Sequence, residues 1–171
     1  MAFRLQEIKG SLRKGVAFTS HYEVDVGSSD INLKAIAVSA PGRSVAATPS
    51  GVYGAIQEVG YSSIFAPISI TVMSSPDHSE RKFFSEWQDR IVGSHRVTGG
   101  FASESAFNVG YYNDYVRTVM IYQYDDRGTK TNTINLQQAY PRTVGELSYN
   151  YSTKEILTFT VTMQYRYFSE I

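Results

Sequence analysis

The chain has 171 residues, 42% hydrophobic and 19% charged, which suits one folded globular domain and excludes a disordered chain. Lys and Arg number 16 and Asp and Glu number 16, so no net charge draws the chain toward nucleic acid or a membrane surface. The absence of cysteine excludes a disulfide framework, thiol catalysis and Cys-ligated metal.

The N-terminal stretch MAFRLQEIKGSLRKG is too charged for a signal peptide and reads as an arm over residues 1–17, with Phe3, Leu5, Ile8 and Leu12 as its apolar positions. No apolar run is long enough to cross a bilayer, so the monomer is not expected to insert into a membrane. Aromatic residues make up 13%, with 13 tyrosines, and favour strands.

Thr19–Val26 (TSHYEVDV) alternates as a first strand, GSSD supplies a turn, and Ile31–Ala40 (INLKAIAVSA) follows as a second strand. Residues 41–61 contain two prolines and four glycines and hold no period. A connection of that length needs a role in a compact domain, and Val45, Val52, Tyr53, Ile56 and Val59 are more apolar than a solvated loop requires. A projecting hairpin or arm that docks elsewhere is expected. Ala66–Met73 (APISITVM) is a third strand, with Ile68, Ile70 and Val72 on one face.

A helix is predicted over residues 75–92, with Ser75 as N-cap, Pro76 at the first position, Asp77 and Glu80 in the first turn and Gly93 as the stop. Phe83, Phe84, Trp87 and Ile91 form an apolar stripe at helical spacing, expected to pack on the sheet. Ser94–Asp114 reads as an irregular crossing. Tyr115–Tyr124 and Thr131–Tyr140 flank DDRGTK as one hairpin, and Gly145–Tyr151 and Glu155–Phe168 flank STK as another. The fold class is therefore mainly β, a small antiparallel barrel or sandwich of about six to seven strands flanked by one helix.

Chemistry-bearing patterns are sparse. His21, His78 and His95 lack metal-ligand spacing, and no phosphate loop, nucleophile elbow or dinucleotide fingerprint occurs. Ser11 and Lys14 have the spacing of an acylase dyad without the partner motifs, and Glu23 and Asp25 share one polar strand face. Basic residues do not cluster with aromatics. No enzyme, catalytic residue, metal site or cofactor is predicted.

The segment TFTVTMQYRYF places Phe159, Val161, Met163, Tyr165 and Tyr167 opposite Thr158, Thr160, Thr162, Gln164 and Arg166. It reads as one long strand with a buried face and a wet, Thr-rich face. Two readings of the wet face stay open: the wall of a water-filled bore in a ring, or the solvent side of a monomeric sandwich. A carbohydrate-binding sandwich that uses surface tyrosines and a small-ligand barrel with an apolar cavity are the readings from other classes.

FAPISITVMSSPDHSERKFFSEWQ, with Phe84 and Trp87, resembles the strand–helix unit of tail tube proteins from contractile-tailed bacteriophages. Pro141, Val144, Gly145, Leu147, Ile156, Phe159, Val161 and Thr162 are similar to that family's C-terminal pattern, and LKAIAVSAPG is similar to its strand before a long loop. The resemblance covers residues 18–168 and extends to tube proteins of type VI secretion and contractile injection systems. It implies hexameric rings stacked into the inner tail tube of a virion, made in the host cytoplasm and serving DNA ejection. Its partners would be further copies of itself, a tail sheath protein, and baseplate and tail-terminator proteins. Tape measure protein and genomic DNA would pass through the lumen. On this resemblance Thr158, Thr160, Thr162 and Gln164 line the channel, and Val45, Val52, Tyr53, Ile56 and Val59 contact the next ring. The long N-terminal arm and the Ser/Gly-rich crossing also fit a tube-initiator ring at the baseplate.

Overall fold

The computed structural model of the chain describes residues 19–27, 29–32, 34–51, 54–93, 108–152 and 154–171. The N-terminal arm, the Ser11–Lys14 pair, His95, and Val52 and Tyr53 of the predicted docking loop lie outside these residues.

Strands are β1 (Tyr22–Asp25), β2 (Ala35–Val38), β3 (Arg43–Ser50), β4 (Gln57–Phe65), β5 (Ile68–Met73), β6 (Arg117–Tyr124), β7 (Lys130–Val144), β8 (Thr158–Gln164) and β9 (Tyr167–Glu170). Helical segments are α1 (Ser29–Asn32), α2 (Ser79–Ile91) and α3 (Tyr112–Tyr115). Seven strands follow the order β1-β6-β7-β8-β5-β2, with β9 also on β7, and β3 pairs only with β4. Every pairing is antiparallel. The architecture is a sandwich rather than a closed barrel. The free edges of β1 and β2 approach each other, with the Tyr22 hydroxyl donating to the Ala35 carbonyl at 3.2 Å.

β7 is the spine. Its first half pairs with β6 and β9, and its second half with β8. The predicted single C-terminal strand is two strands, broken at Tyr165 and Arg166. Gln138, opposite the break, takes a left-handed φ of 54°, and the two chains bend together. The register survives the bend, with Tyr140 opposite Gln164 and Gln137 opposite Tyr167. The Arg166 amide donates to the Gln137 carbonyl at 3.0 Å across the gap. Directly opposed residues share a face, so Val119, Leu136 and Phe168 meet inside one half, and Ile70, Val161 and Val144 inside the other.

Several expected boundaries move. Ile31 and Asn32 belong to α1, not to the second strand. Asn32 caps the turn instead, accepting from the Val26 amide and donating to Asp25 Oδ1, both at 3.0 Å. Gly145–Tyr151 is irregular rather than a strand, because β8 already pairs with the far end of β7.

The helix starts at Ser79, four residues beyond the expected Ser75 cap. His78 precedes it at a left-handed φ of 55°, which interrupts helical geometry. Ser75 is engaged elsewhere. Its amide and hydroxyl donate to the Glu80 carboxylate at 2.9 and 2.7 Å, and Lys34 pairs with the same carboxylate. At the other end Val92 is extended and bridges to Val109, so this bridge, not Gly93, stops the helix. Gly110 makes the approach possible, since a Cβ there would run into the Arg90 carbonyl. Phe84 and Trp87 are buried and Phe83 and Ile91 half-buried. Phe84 packs edge-on against Phe159 of the sheet interior at 6.2 Å.

Glu80 is 1% exposed. Burial alone would raise its pKa, but the bonds from Lys34 and from the Ser75 amide and hydroxyl outweigh burial and lower it from 4.5 to about 2. A carboxylate with a depressed folded pKa stabilises fully above its unfolded pKa and loses that contribution as pH falls through the folded one. The difference in unfolding free energy between wild type and Glu80→Gln should therefore reach up to about 3 kcal/mol at neutral pH and lose about half of that or more by about pH 3. Urea denaturation at both pH values measures it, and a gap constant with pH would contradict the ionic account.

Candidate functional site

The outward face of the β2-β5-β8-β7 sheet is a field of hydroxyls. Register places Thr71 opposite Thr160, Ser69 opposite Thr162, and Thr143 opposite Thr162 on the other side. Thr158 follows opposite Met73. The hydroxyls bond across strands: Thr71 and Thr160 at 3.2 Å, and Ser39 and Ser69 at 3.2 Å, with the Ser69 amide donating to Ser39 Oγ at 2.8 Å. Of the residues expected to line a channel, Thr160 is exposed and Thr158, Thr162 and Gln164 are half-buried. All lie on this face, while Phe159, Val161, Met163 and Tyr165 are buried on the other. Sequence reading missed Ser69, Thr71 and Thr143. The alternation of ISITVM held the first two, but only its apolar half was read as a face.

Gly145 fastens the rim of this face. Its amide donates to the Thr160 carbonyl at 2.8 Å, and a Cβ there would stand 2.7 Å from that oxygen. Only a residue without a side chain fits so close to a strand backbone.

The second surface is the β3–β4 hairpin, paired from Arg43 opposite Phe65 to Ser50 opposite Gln57. Among the described residues, none from 43 to 64 joins the hydrophobic core. Val45, Val59 and Ile56, expected to contact a neighbour, are exposed, and Tyr61 and Ile64, which sequence reading did not single out, are exposed with them. Val59 and Tyr61 alternate with small or polar residues along β4, so the hairpin displays apolar side chains that no described residue covers.

A cavity of about 500 Å³ opens between the free edges of β1 and β2, against Tyr22, Ile36, Val38, Ile121 and Tyr122. It lies at the seam of the sandwich.

One cluster looks catalytic at first. Ser75 Oγ lies 2.6 Å from Lys34 Nζ, the arrangement of a serine–lysine dyad. The Glu80 carboxylate takes the serine hydrogen and pairs with Lys34, so the hydroxyl is engaged as a structural donor. Glu23 accepts from the Tyr124 hydroxyl at 2.7 Å, and Asp25 accepts from the Gly27 amide at 2.9 Å, which gives both carboxylates structural partners. His78 Nδ1 lies 2.9 Å from Ser74 Oγ, and His21 lies 3.5 Å from Asp126. No group of side chains with metal-ligand geometry occurs among the described residues, and no described helix is long and apolar enough to cross a membrane.

The fold is shared with chains of several solved structures. It is similar to a chain in the anti-feeding prophage baseplate (10% identity, 91% of this chain and 95% of that one, TM-score 0.68). It is also similar to a chain in the extended sheath–tube complex of the PVC extracellular contractile injection system (14% identity, 95% and 96%, TM-score 0.66). Hcp1 from Flavobacterium johnsoniae is a more distant likeness (14% identity, 88% and 94%, TM-score 0.52). No curated protein matches the sequence. The description "phage tail tube protein" matches residues 7–171, and the chain belongs to that family. The family is structural.

Gly145→Ala should destabilise the isolated subunit by about 1–3 kcal/mol through overpacking at the β8 backbone. Gly128→Ala, at a turn glycine with a φ of 74° and open space around it, serves as the control. It should cost only its backbone strain, about 1 kcal/mol. Thermal unfolding of the two variants compares them. A smaller loss at position 145 than at 128 would contradict the close-approach account.

Proposed function

We propose that the protein forms hexameric rings that stack into the inner tube of a contractile phage tail, and that genomic DNA is delivered through the bore. The hydroxyl face of the β2-β5-β8-β7 sheet carries this reading. A wet, hydroxyl-rich sheet face beside free strand edges is a liability on a monomer, because unpaired edges recruit other chains. A ring that joins those edges turns the same face into the wall of a water-filled channel. The uncovered apolar side chains of the β3–β4 hairpin then meet the next ring.

Membership of the tail tube family supports assembly into a particle. The similar structures come from a sheath–tube complex, a baseplate and a tube terminator, which supports stacking on itself and partners of those kinds. In this reading a sheath surrounds the tube, and tape measure protein occupies the bore before DNA. The same structures favour a second reading, a tube or baseplate initiator ring of a bacterial contractile injection device, with the same subunit geometry and a different particle.

Purified protein, alone or with a baseplate as template, should give rings and hollow tubes by negative-stain microscopy. Monomers under all conditions would overturn the proposal. Replacing residues 44–57 by a short Gly/Ser linker should leave the sandwich folded, since loop-closure cost depends weakly on length, and should abolish stacking. Full-length tubes from this variant would make the hairpin a mere surface connection.

Thr160→Cys introduces a thiol into a chain without cysteine, on an exposed position. A bulky thiol reagent should label it quickly in the unassembled protein and slowly in tubes. Equal rates would place the face outside the bore.

A further inference from the structure

The β3–β4 hairpin and the connection from β7 to β8 leave one sheet at opposite ends. β5 and β8 pair from Ile68 opposite Met163 to Met73 opposite Thr158. The hairpin returns to the sheet just before Ile68, whereas residues 145–157 leave β7 after Val144 and enter β8 at Thr158, the Met73 end. The six residues of β5 set the two ends roughly 17 Å apart. The connection is fastened at its own end twice, by the Gly145 amide on the Thr160 carbonyl at 2.8 Å and by the Ser74 amide on the Leu157 carbonyl at 2.9 Å. Between these ties it displays Tyr149, Tyr151 and Ile156, which are 73, 108 and 72% exposed. Val109, Tyr111 and Tyr112 are exposed too, but they lie toward the hairpin's end. Gln88 of the preceding helix reaches the Pro141 and Arg142 carbonyls, and Tyr115 packs on Tyr140, near Met163 and Ile68. Ile36 sits on the edge strand β2, and Tyr167 and Ile171 lie beyond the bend on the other sheet.

We propose that Tyr149, Tyr151 and Ile156 are the seat on which the β3–β4 hairpin of a second copy of this chain, in the next ring, docks. The inference rests on the reading that the hairpin meets the next ring, and it names what the hairpin meets there. A contact between two different patches at opposite ends of one subunit is heterologous, so it repeats along an axis and leaves the stack open to growth. Apolar patches at one end only would pair two rings face to face and stop. Both surfaces carry both signs of charge, Arg43 and Glu58 on the hairpin and Glu146, Lys154 and Glu155 on the connection, so no block of one sign opposes the contact. The area is also suited to stacking. A buried aromatic side chain removes about 150–250 Å² from water, so two tyrosines and an isoleucine fall short of the roughly 800 Å² per partner of a stable pair. Six such contacts between two rings act together. Free subunits therefore stay apart, and rings stack.

Cysteine pairs test the contact directly, because the chain has no cysteine of its own. Full-length subunits with Ile56→Cys, near the hairpin tip, are assembled together with subunits carrying Tyr151→Cys, and a short bismaleimide is added. Denaturing electrophoresis of the tubes should show cross-linked dimers about tenfold or more above the unassembled mixture at equal concentration. Tubes of either variant alone set the background. With both cysteines in one chain the product should be a ladder of many subunits, as an open contact requires. Tyr111→Cys in place of Tyr151→Cys should stay at background. A second variant, with Tyr149, Tyr151 and Ile156 all changed to Ser, should keep the emission of buried Trp87 and raise the concentration needed for tube growth by about tenfold or more. Tubes without the cross-link between positions 56 and 151, or wild-type growth of the serine variant, would overturn the seat. Full-length tubes after replacement of residues 44–57 would overturn the hairpin reading beneath it, and the absence of wild-type tubes would overturn both.

Discussion

One antiparallel register, running along β7 opposite β8 and then β9, is the constraint on which the rest depends. It holds Tyr140 to Gln164 before the bend and Gln137 to Tyr167 after it. A slip of one residue would exchange buried and exposed faces in both sheets at once, because the same strand serves both. Met163 and Val161 would turn outward while Thr160 and Thr162 turned into the core. The bend has its own fastenings. The Tyr165 hydroxyl donates to the Ala66 carbonyl at 2.7 Å, and Arg166 Nη1 donates to the Gln138 side chain at 3.2 Å. Tyr165 therefore enters the core with its polar end satisfied, and Arg166 stays at the surface where the backbone turns.

The helix is tied to that frame by chemistry of two kinds. Aromatic contacts run from Phe83 through Phe84 to Phe159, and Arg117 lies over Trp87 with its guanidinium carbon 4.9 Å from the ring. At the helix start, Glu80 gathers Ser75 and Lys34, which joins the end of β5 to the segment entering β2. A buried carboxylate is costly when its partners are lost, so this junction favours one arrangement of strand and helix over near alternatives. Among the described residues the hairpin is tied to the body at its root, where Phe65 packs against Tyr165 and Phe168 at ring distances of 6.3 and 5.7 Å, while the bond from Arg43 to Ser63 Oγ at 3.0 Å joins its own two strands. Rigid frame and free-standing hairpin are separate parts of one subunit.

Much of this was legible in the sequence, for reasons that differ between elements. The period-2 alternation of TFTVTMQ and ISITVM marked strands whose two faces meet different surroundings, and such alternation survives folding. The apolar stripe on α2 was legible for the same reason at helical period. The paired strands of the hairpin were not legible as strands. Ala47, Ser62 and Ser63 are exposed and Ala46 is only half-buried, and a ribbon held by its backbone leaves little hydrophobic pattern. The helix start was misplaced because Ser75, Pro76 and Asp77 form a good local capping sequence, while Glu80 recruits Ser75 for a tertiary network with a lysine 46 residues from it. The break at Tyr165 carried no glycine or proline to announce it. The strain is taken by Gln138 on the opposite strand, which sequence periodicity along one segment cannot reveal.

The chain's one tryptophan, 2% exposed, donates its indole nitrogen to the Tyr115 carbonyl at 2.6 Å. Its optical environment is thus set by the helix, by the segment before β6 and by Arg117, and by neither the hydroxyl face nor the hairpin. The molecule carries a built-in fluorophore that reports the integrity of a single subunit and is set apart from both surfaces through which copies would meet. Folding and polymerisation can accordingly be followed as separate signals in one sample, emission for the first and scattering for the second, without attaching a dye to either surface.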